Sequence, residues 1–345
     1  MADTGRRTSR RALLFAGGAA VVAAATGGVV AAVGRDGTSG HRSAVHGVGE
    51  FSLTSPSELL PPTALHETTG PQSFAFDDTR GHLYAVQQMQ DGLRLPGEPR
   101  PVRYAERLRR GDLCVSKLSR SGALLGHMYL RGFGHGISLG VEPSAGQVKL
   151  WVESGADPVT GYGRAVARIP FSDGAVLDSG APSVRHHVPL PGTLRNHPAL
   201  DLAGRRVLIS HWAGGQHRYA VYRMNEFLAG RYEPTHLVRD TARRRGEPLQ
   251  GCALHGDHIY QLTGNPYTVR TGINPPDSGG NTFVSAIAIT AGGSAGRRHV
   301  TAALSLPFRE PEGIAVRLSP APQLCTGFSS KTTGRRELSV HGFTR

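Results

Sequence analysis

Beyond residue 70 a short pattern recurs five times: a polar residue, a small or variable one, then an apolar stretch with a small residue in its middle. The copies are Gln72-Ser-Phe-Ala-Phe-Asp77, His135-Gly-Ile-Ser-Leu-Gly140, Asn196-His-Pro-Ala-Leu-Asp201, Gln250-Gly-Cys-Ala-Leu-His255 and Glu312-Gly-Ile-Ala-Val-Arg317. Their leading residues stand 63, 61, 54 and 62 positions apart. That period suits a four-stranded blade and is too long for a two-helix repeat of about 34 residues.

Each copy is followed by turn residues and a second run of strand character. These runs are His82-Leu-Tyr-Ala-Val-Gln87, Val148-Lys-Leu-Trp-Val-Glu153, Arg206-Val-Leu-Ile-Ser-His211, His258-Ile-Tyr-Gln-Leu262 and Gln323-Leu-Cys-Thr-Gly-Phe328. A third run follows at Leu113-Cys-Val-Ser-Lys-Leu118, Ala165-Val-Ala-Arg-Ile169, Tyr219-Ala-Val-Tyr222, Phe283-Val-Ser-Ala-Ile287 and Glu337-Leu-Ser-Val340. Five similar antiparallel units specify an all-β chain, a five-bladed β-propeller over residues 51–345. Two β-sandwich domains would explain the strands but not the five matched leads.

In a propeller the first strand of each blade lines the axis, and the small residues Ala75, Ser138, Ala199, Ala253 and Ala315 suit that crowding. The leads Gln72, His135, Asn196, Gln250 and Glu312 then form a ring at one mouth of the channel. A second strand running back antiparallel brings Gln87, Glu153, His211 and Asn265 toward the same mouth. Polar groups converging on a concavity make it the candidate site. The segments 90–110 and 265–281 are expected to overhang it as loops.

Among these residues Gly132-Phe-Gly-His135-Gly136 is the densest constellation, a histidine that can take a proton near neutrality, set among glycines that allow a tight turn. In Arg309-Glu-Pro-Glu312-Gly313, Arg309 can grip a phosphate or carboxylate and Glu312 can serve as the opposing acid or base; an internal ion pair tying the last blade to the first is the equal alternative. His197 and His211 are further catalytic candidates, for which a structural role is at least as good a reading. Gln72, Glu153, Asn196 and Gln250 are candidate substrate contacts. His186-His187 reads as surface. The chain lacks H-E-x-x-H, an EF-hand loop, a P-loop and G-x-S-x-G, so no cofactor or metal is expected. Asn265-Pro-Tyr and Asp277-Ser-Gly-Gly-Asn281 could offer oxygens to calcium but also read as plain turns.

The N-terminus reads as an address. Arg6, Arg7, Arg10 and Arg11 precede a run from Ala12 to Val33 rich in Ala, Gly and Val, and Ser9-Arg-Arg-Ala-Leu-Leu14 resembles a twin-arginine export signal. Residues 1–34 are expected to be that signal, 35–50 a disordered leader, and the mature protein secreted without a stable membrane anchor. Of the formal charge of +13, about +10 remains once residues 1–34 are removed. Such a surplus attracts polyanions. Lys is scarce, the arginines are scattered and no nucleic-acid-binding signature is present, so the expected partner is an anionic wall polymer or polysaccharide rather than nucleic acid. Cys114, Cys252 and Cys325 lie far apart in apolar or alternating runs and read as small buried side chains, although one pair could oxidise after export. Nothing suggests an oligomer surface, and a monomer is expected.

The chain resembles the teichoic acid biosynthesis protein C family, whose propeller is also similar to receptor-binding domains of phage tails. The resemblance rests on Gln72-Ser-Phe-Ala-Phe-Asp-Asp78, Gly111-Asp-Leu-Cys-Val115, Tyr129-Leu-Arg-Gly-Phe-Gly-His-Gly136, Leu150-Trp-Val-Glu153, Gln250-Gly251 and Phe308-Arg-Glu-Pro-Glu-Gly313, and covers most of residues 51–330. It implies dealings with wall teichoic acid outside the cell, by cleaving or binding the polymer. The leading expectation is lyase-type cleavage of poly(glycerol phosphate), with His135 as base, His197, His211 or Glu312 as acid, and Arg309 on the phosphate. A lyase acting on uronic-acid glycans and a binding-only module are the alternatives. The segment 90–110 departs from the family pattern and bears on substrate range.

Overall fold

The computed structural model describes residues 47–268, 274–332 and 334–345. The expected export signal and most of the expected leader lie outside the described residues. Residues 47–50, assigned by sequence to that leader, belong to the folded body: Gly47–Val48 pairs antiparallel with Phe51–Ser52, and Val48 is buried against Tyr260 and Phe343 in one apolar cluster. Among the described residues no helix is long and apolar enough to cross a membrane.

Five antiparallel sheets follow the repeat and make the five blades of a β-propeller. Blade 1 contains Pro71–Asp77, His82–Gln88, Leu113–Ser119 and Leu124–Arg131, with Val176–Asp178 added in parallel at its outer edge. Blade 2 contains Gly140–Ser144, Gln147–Ala156, Gly163–Pro170 and His186–His187; blade 3 contains Leu194–Asp201, Arg206–Ala213, Gln216–Arg223 and His236–Arg239. Blade 4 contains Leu249–His255, His258–Thr263, Phe283–Ala288 and Ser294–His299. Tight turns join first strands to second ones. In blades 1 and 3 an aspartate ends the first strand and accepts the N–H that closes the turn, Arg80 to Asp77 and Gly204 to Asp201.

Blade 5 closes the ring. Its inner three strands are Glu310–Arg317, Gln323–Thr332 and Arg335–Phe343, and its outer strand is Ser57–Ala64 from the other end of the domain. That strand carries Pro61 and Pro62, residues without an N–H that a sheet tolerates at an edge. The apolar clusters repeat the same logic. One lies between each pair of successive blades, including blades 5 and 1, where Leu60, Phe74, Ala315 and Cys325 meet.

The small middle residues sit where the repeat predicts. Ala75, Ala199, Ala253 and Ala315 line a narrow axial cavity of about 50 Å3, and across the axis Ser138 Oγ accepts the Cys252 N–H at 3.2 Å. One detail differs. The first strand of blade 2 begins at Gly140 rather than His135, because residues 132–139 are drawn off the sheet onto a buried carboxylate.

Candidate functional site at the channel mouth

That carboxylate is Glu153, fully buried near the end of the second strand of blade 2. Its Oε2 accepts the N–H groups of His135 and Gly136 at 2.7 and 2.8 Å, and its Oε1 accepts that of Gly163 at 3.1 Å. The same Oε1 lies 3.2 Å from His197 Nδ1. The glycines beside His135 make this possible. A Cβ on Gly134 would fall 2.5 Å from Glu153 Cβ, and Gly136 holds φ at +85° with Val86 only 2.6 Å from where its Cβ would stand. Burial opposes the charge on Glu153, but His197, the Gly136 N–H and His135 outweigh it and hold the carboxyl below its ordinary range.

The loop so fixed presents the His135 ring. It stacks on Tyr162, with centroids 4.7 Å apart and planes 23° apart, and remains partly exposed. Gln88 Nε2 stands 3.2 and 3.1 Å from the two ring nitrogens, and Gln88 Oε1 accepts the Tyr104 hydroxyl at 2.6 Å. Tyr104 begins a short helix, Tyr104–Arg110, inside segment 90–110, which thus reaches the site through a specific contact. Packing of the ring among these groups pushes its pKa down to about 4, against the pull of Glu153 and with help from His197 and Arg195. His135 is therefore neutral at pH 7, the form that accepts a proton.

Arg195 is a site residue that the sequence did not reveal. It holds φ at +60°, unusual for a residue with a Cβ, and its exposed guanidinium lies 4.4 Å from the Tyr162 ring centroid and 5.4 Å from that of Trp212. Among the described residues it has no hydrogen-bond or carboxylate partner, so a cation held on two aromatic faces is open to an incoming anion. Its one sequence signal is its place, directly before the lead Asn196.

Glu312, the lead of blade 5, is buried at the same mouth. Desolvation and the nearby Glu310 push its carboxyl well above the usual range, against the pull of Arg336, which favours the protonated form. Arg336 is committed to Glu310, to Ser329 Oγ at 3.1 Å and to the face of Phe308, 3.8 Å away. Burial raises the Tyr104 hydroxyl above its ordinary range, with Glu312 and Glu310 adding to the rise and Arg336 opposing it.

Several expectations are corrected. Arg309 is buried, with Nε donating to the Ala302 carbonyl at 3.0 Å, Nη2 to Val300 and Ala302 at 2.7 and 2.8 Å, and Nη1 to Thr282 Oγ1 at 3.1 Å. It is an internal brace, stacked on Phe328, and cannot grip a phosphate. His211 is buried and opens on a side hollow with Thr193 and Arg218, apart from His135. Asn196 is buried between Thr193 Oγ1 and the Gly163 carbonyl, and Gln87 serves the backbone of Glu67 and Thr69. Glu153 and His197 are likewise too buried to touch substrate, and position the His135 loop instead. Gln72 and Gln250 stay partly exposed, their amides donating to the Pro71 and Gly264 carbonyls. His187 is not surface: it is buried against Trp151 and Phe227 and bonds Tyr232 at 2.8 Å. Cys114, Cys252 and Cys325 are all free and buried. Of the oxygens considered for calcium, Asn281 Oδ1 accepts the Asn265 N–H at 2.8 Å.

Known proteins share this architecture. A family described as the phage five-bladed β-propeller receptor-binding platform domain matches residues 71–341. A Bacillus subtilis (strain 168) protein named, provisionally, major teichoic acid biosynthesis protein C is 26% identical over 281 residues, 79% of this chain and 59% of that protein. The tail fibre of Staphylococcus aureus phage P68 superposes with a TM-score of 0.63 at 19% identity, over 86% of this chain and 54% of the fibre chain. This chain thus spans little more than half the length of either relative.

Proposed function

This chain belongs to the family of phage five-bladed β-propeller receptor-binding platform domains, and on that premise we propose that its mouth binds an anionic, phosphodiester-linked wall polymer of the poly(glycerol phosphate) type and cleaves it. The name of the Bacillus relative and the phage origin of the family support the polymer class. What carries the chemistry is that burial displaces His135 and Glu312 in opposite directions, the imidazole down to about 4 and the carboxyl well above its ordinary range, which suits the one to accept a proton and the other to give one.

His135 takes the proton of a glycerol hydroxyl as its oxygen attacks the neighbouring phosphorus. The bond from phosphorus to the next glycerol oxygen breaks, and Glu312 delivers its proton to that oxygen. The products are a cyclic phosphate on one fragment and a free hydroxyl on the other, with no water or metal consumed. Arg195 balances the charge on the phosphate, held in place by Tyr162 and Trp212. Glu153 and His197 keep the His135 loop in register.

The test is the pH dependence of chain shortening by the full chain. The base works deprotonated and the acid protonated, so the rate rises through about pH 4 and falls at the raised pKa of Glu312. His135→Ala is expected to abolish shortening while keeping wall retention; full activity in that variant overturns the assignment. A second reading, docking without chemistry, is favoured by the receptor-binding family itself. Retention of polymer with no soluble product at any pH would establish it.

A further inference from the structure

Four arginines gather at one place outside the mouth. The loop after strand His236–Arg239 carries Arg243, Arg244 and Arg245, and forms with Trp212, His217 and Arg239 a groove of about 440 Å3. Its acids are already spent. Asp240 lies 3.0 Å from His217 Nδ1 and 2.9 Å from Arg243 Nε, and Glu247 lies 2.6 Å from Arg297. His217 is fixed in turn by Ser210 Oγ at 2.7 Å. That acid–imidazole–hydroxyl order braces the groove floor, since Ser210 is fully buried and closed to substrate. Arg239, Arg244 and Arg245 are exposed and, among the described residues, their guanidiniums make no hydrogen bond or ion pair; the Arg244 backbone N–H donates to Glu247 at 3.1 Å. Trp212 joins the two places: it lines this groove and carries the Arg195 guanidinium 5.4 Å from its ring centroid.

We propose that this groove is a second anion subsite, holding the phosphates of the polymer segment that runs out of the mouth between blades 3 and 4. The inference rests on the proposed function and extends it from one reacting linkage to a multi-site hold. Exposed guanidiniums bind a single small anion weakly because water screens each pair. A polyanion engages several at once, and after the first contact the others are effectively intramolecular. The groove therefore selects chain length, favouring long polymers over short fragments and keeping the enzyme on its chain.

The full chain and its Arg239→Ala/Arg244→Ala/Arg245→Ala variant, matched for thermal unfolding, would be compared on long poly(glycerol phosphate) and on the glycerol phosphate dimer over a salt series. For the long polymer, the variant is expected to lose about two from the slope of log affinity against log salt, at about 0.7 per contact on a flexible polyanion. Cleavage of the dimer, which fills only the mouth, is expected to be unchanged. A long-polymer slope and affinity equal to those of the unaltered chain would overturn the subsite alone. Failure of the unaltered chain to hold the long polymer would overturn the proposed function and the subsite with it. Preferential retention of single-stranded DNA would assign the groove to nucleic acid and also overturn the proposal.

Discussion

Replacing Glu153 with glutamine changes one buried oxygen for an NH2 and should separate fold from site by a calculable amount. The amide oxygen can keep the His135 and Gly136 N–H groups, as Oε2 does now, but the NH2 then faces the Gly163 N–H and His197. One buried N–H is left unpaired, at about 1–3 kcal/mol, and the two surviving bonds lose their charged acceptor, at about 1 kcal/mol together. The expected destabilisation is about 3 kcal/mol, which in a domain of this size is about 6 °C in Tm. Its pH dependence has a definite sign. The folded carboxyl sits below its unfolded value, so its contribution is fully present above the unfolded pKa and is lost as pH falls through the folded one. Calorimetry of both chains should therefore show the gap at pH 7 and its narrowing in acid, below about pH 4.5. A Glu153→Gln chain within about 1 °C of the parent at pH 7, or a gap independent of pH, would refute the account of Glu153 as the anchor of the His135 loop.

Arg309 and Arg195 should respond oppositely to substitution. Arg309→Met orphans two buried carbonyls and should cost about 3–5 kcal/mol of stability, read by denaturant unfolding. Arg195→Ala should leave unfolding unchanged and weaken polymer retention about tenfold, as befits an exposed, charge-assisted contact. Deleting residues 57–64 removes the outer strand of blade 5, so hydrogen exchange should show lost protection in both blades 5 and 1, which share Leu60 in their common cluster. Burial raises all three thiols, Cys252 to about 11 and Cys325 to about 12, so a thiol reagent at pH 8 should label none in the folded chain and three after denaturation.

The propeller was legible because its constraint is local and repeated. A small residue in the middle of a first strand, as at Ala75 or Ala253, answers to crowding at the axis wherever it occurs. The closing strand Ser57–Ala64 was not, because Pro61 and Pro62 erase its alternation and its partner Arg335–Phe343 lies at the far end of the chain. At the site, the His135 loop with its glycines and the carboxylate Glu312 stood out by position in the repeat. Glu153 was read as a substrate contact because chain order shows that it reaches the mouth, not that backbone N–H groups enclose it. Arg309 and Arg195 show the same limit from both sides. The first is consumed by carbonyls supplied by a neighbouring loop, while the second is freed by a backbone angle and two rings that no spacing announces. The basic groove was hidden for that reason too, since whether Arg244 and Arg245 are available depends on Asp240 and Glu247 being occupied elsewhere.

The most direct measurement is phosphorus NMR of poly(glycerol phosphate) incubated with the full chain, beside the His135→Ala variant. A cyclic phosphate resonance growing with the parent chain and absent with the variant is the predicted result. Chain shortening that yields only acyclic phosphate ends, or cyclic phosphate formed equally by both proteins, would contradict His135-directed internal attack at the mouth of this propeller.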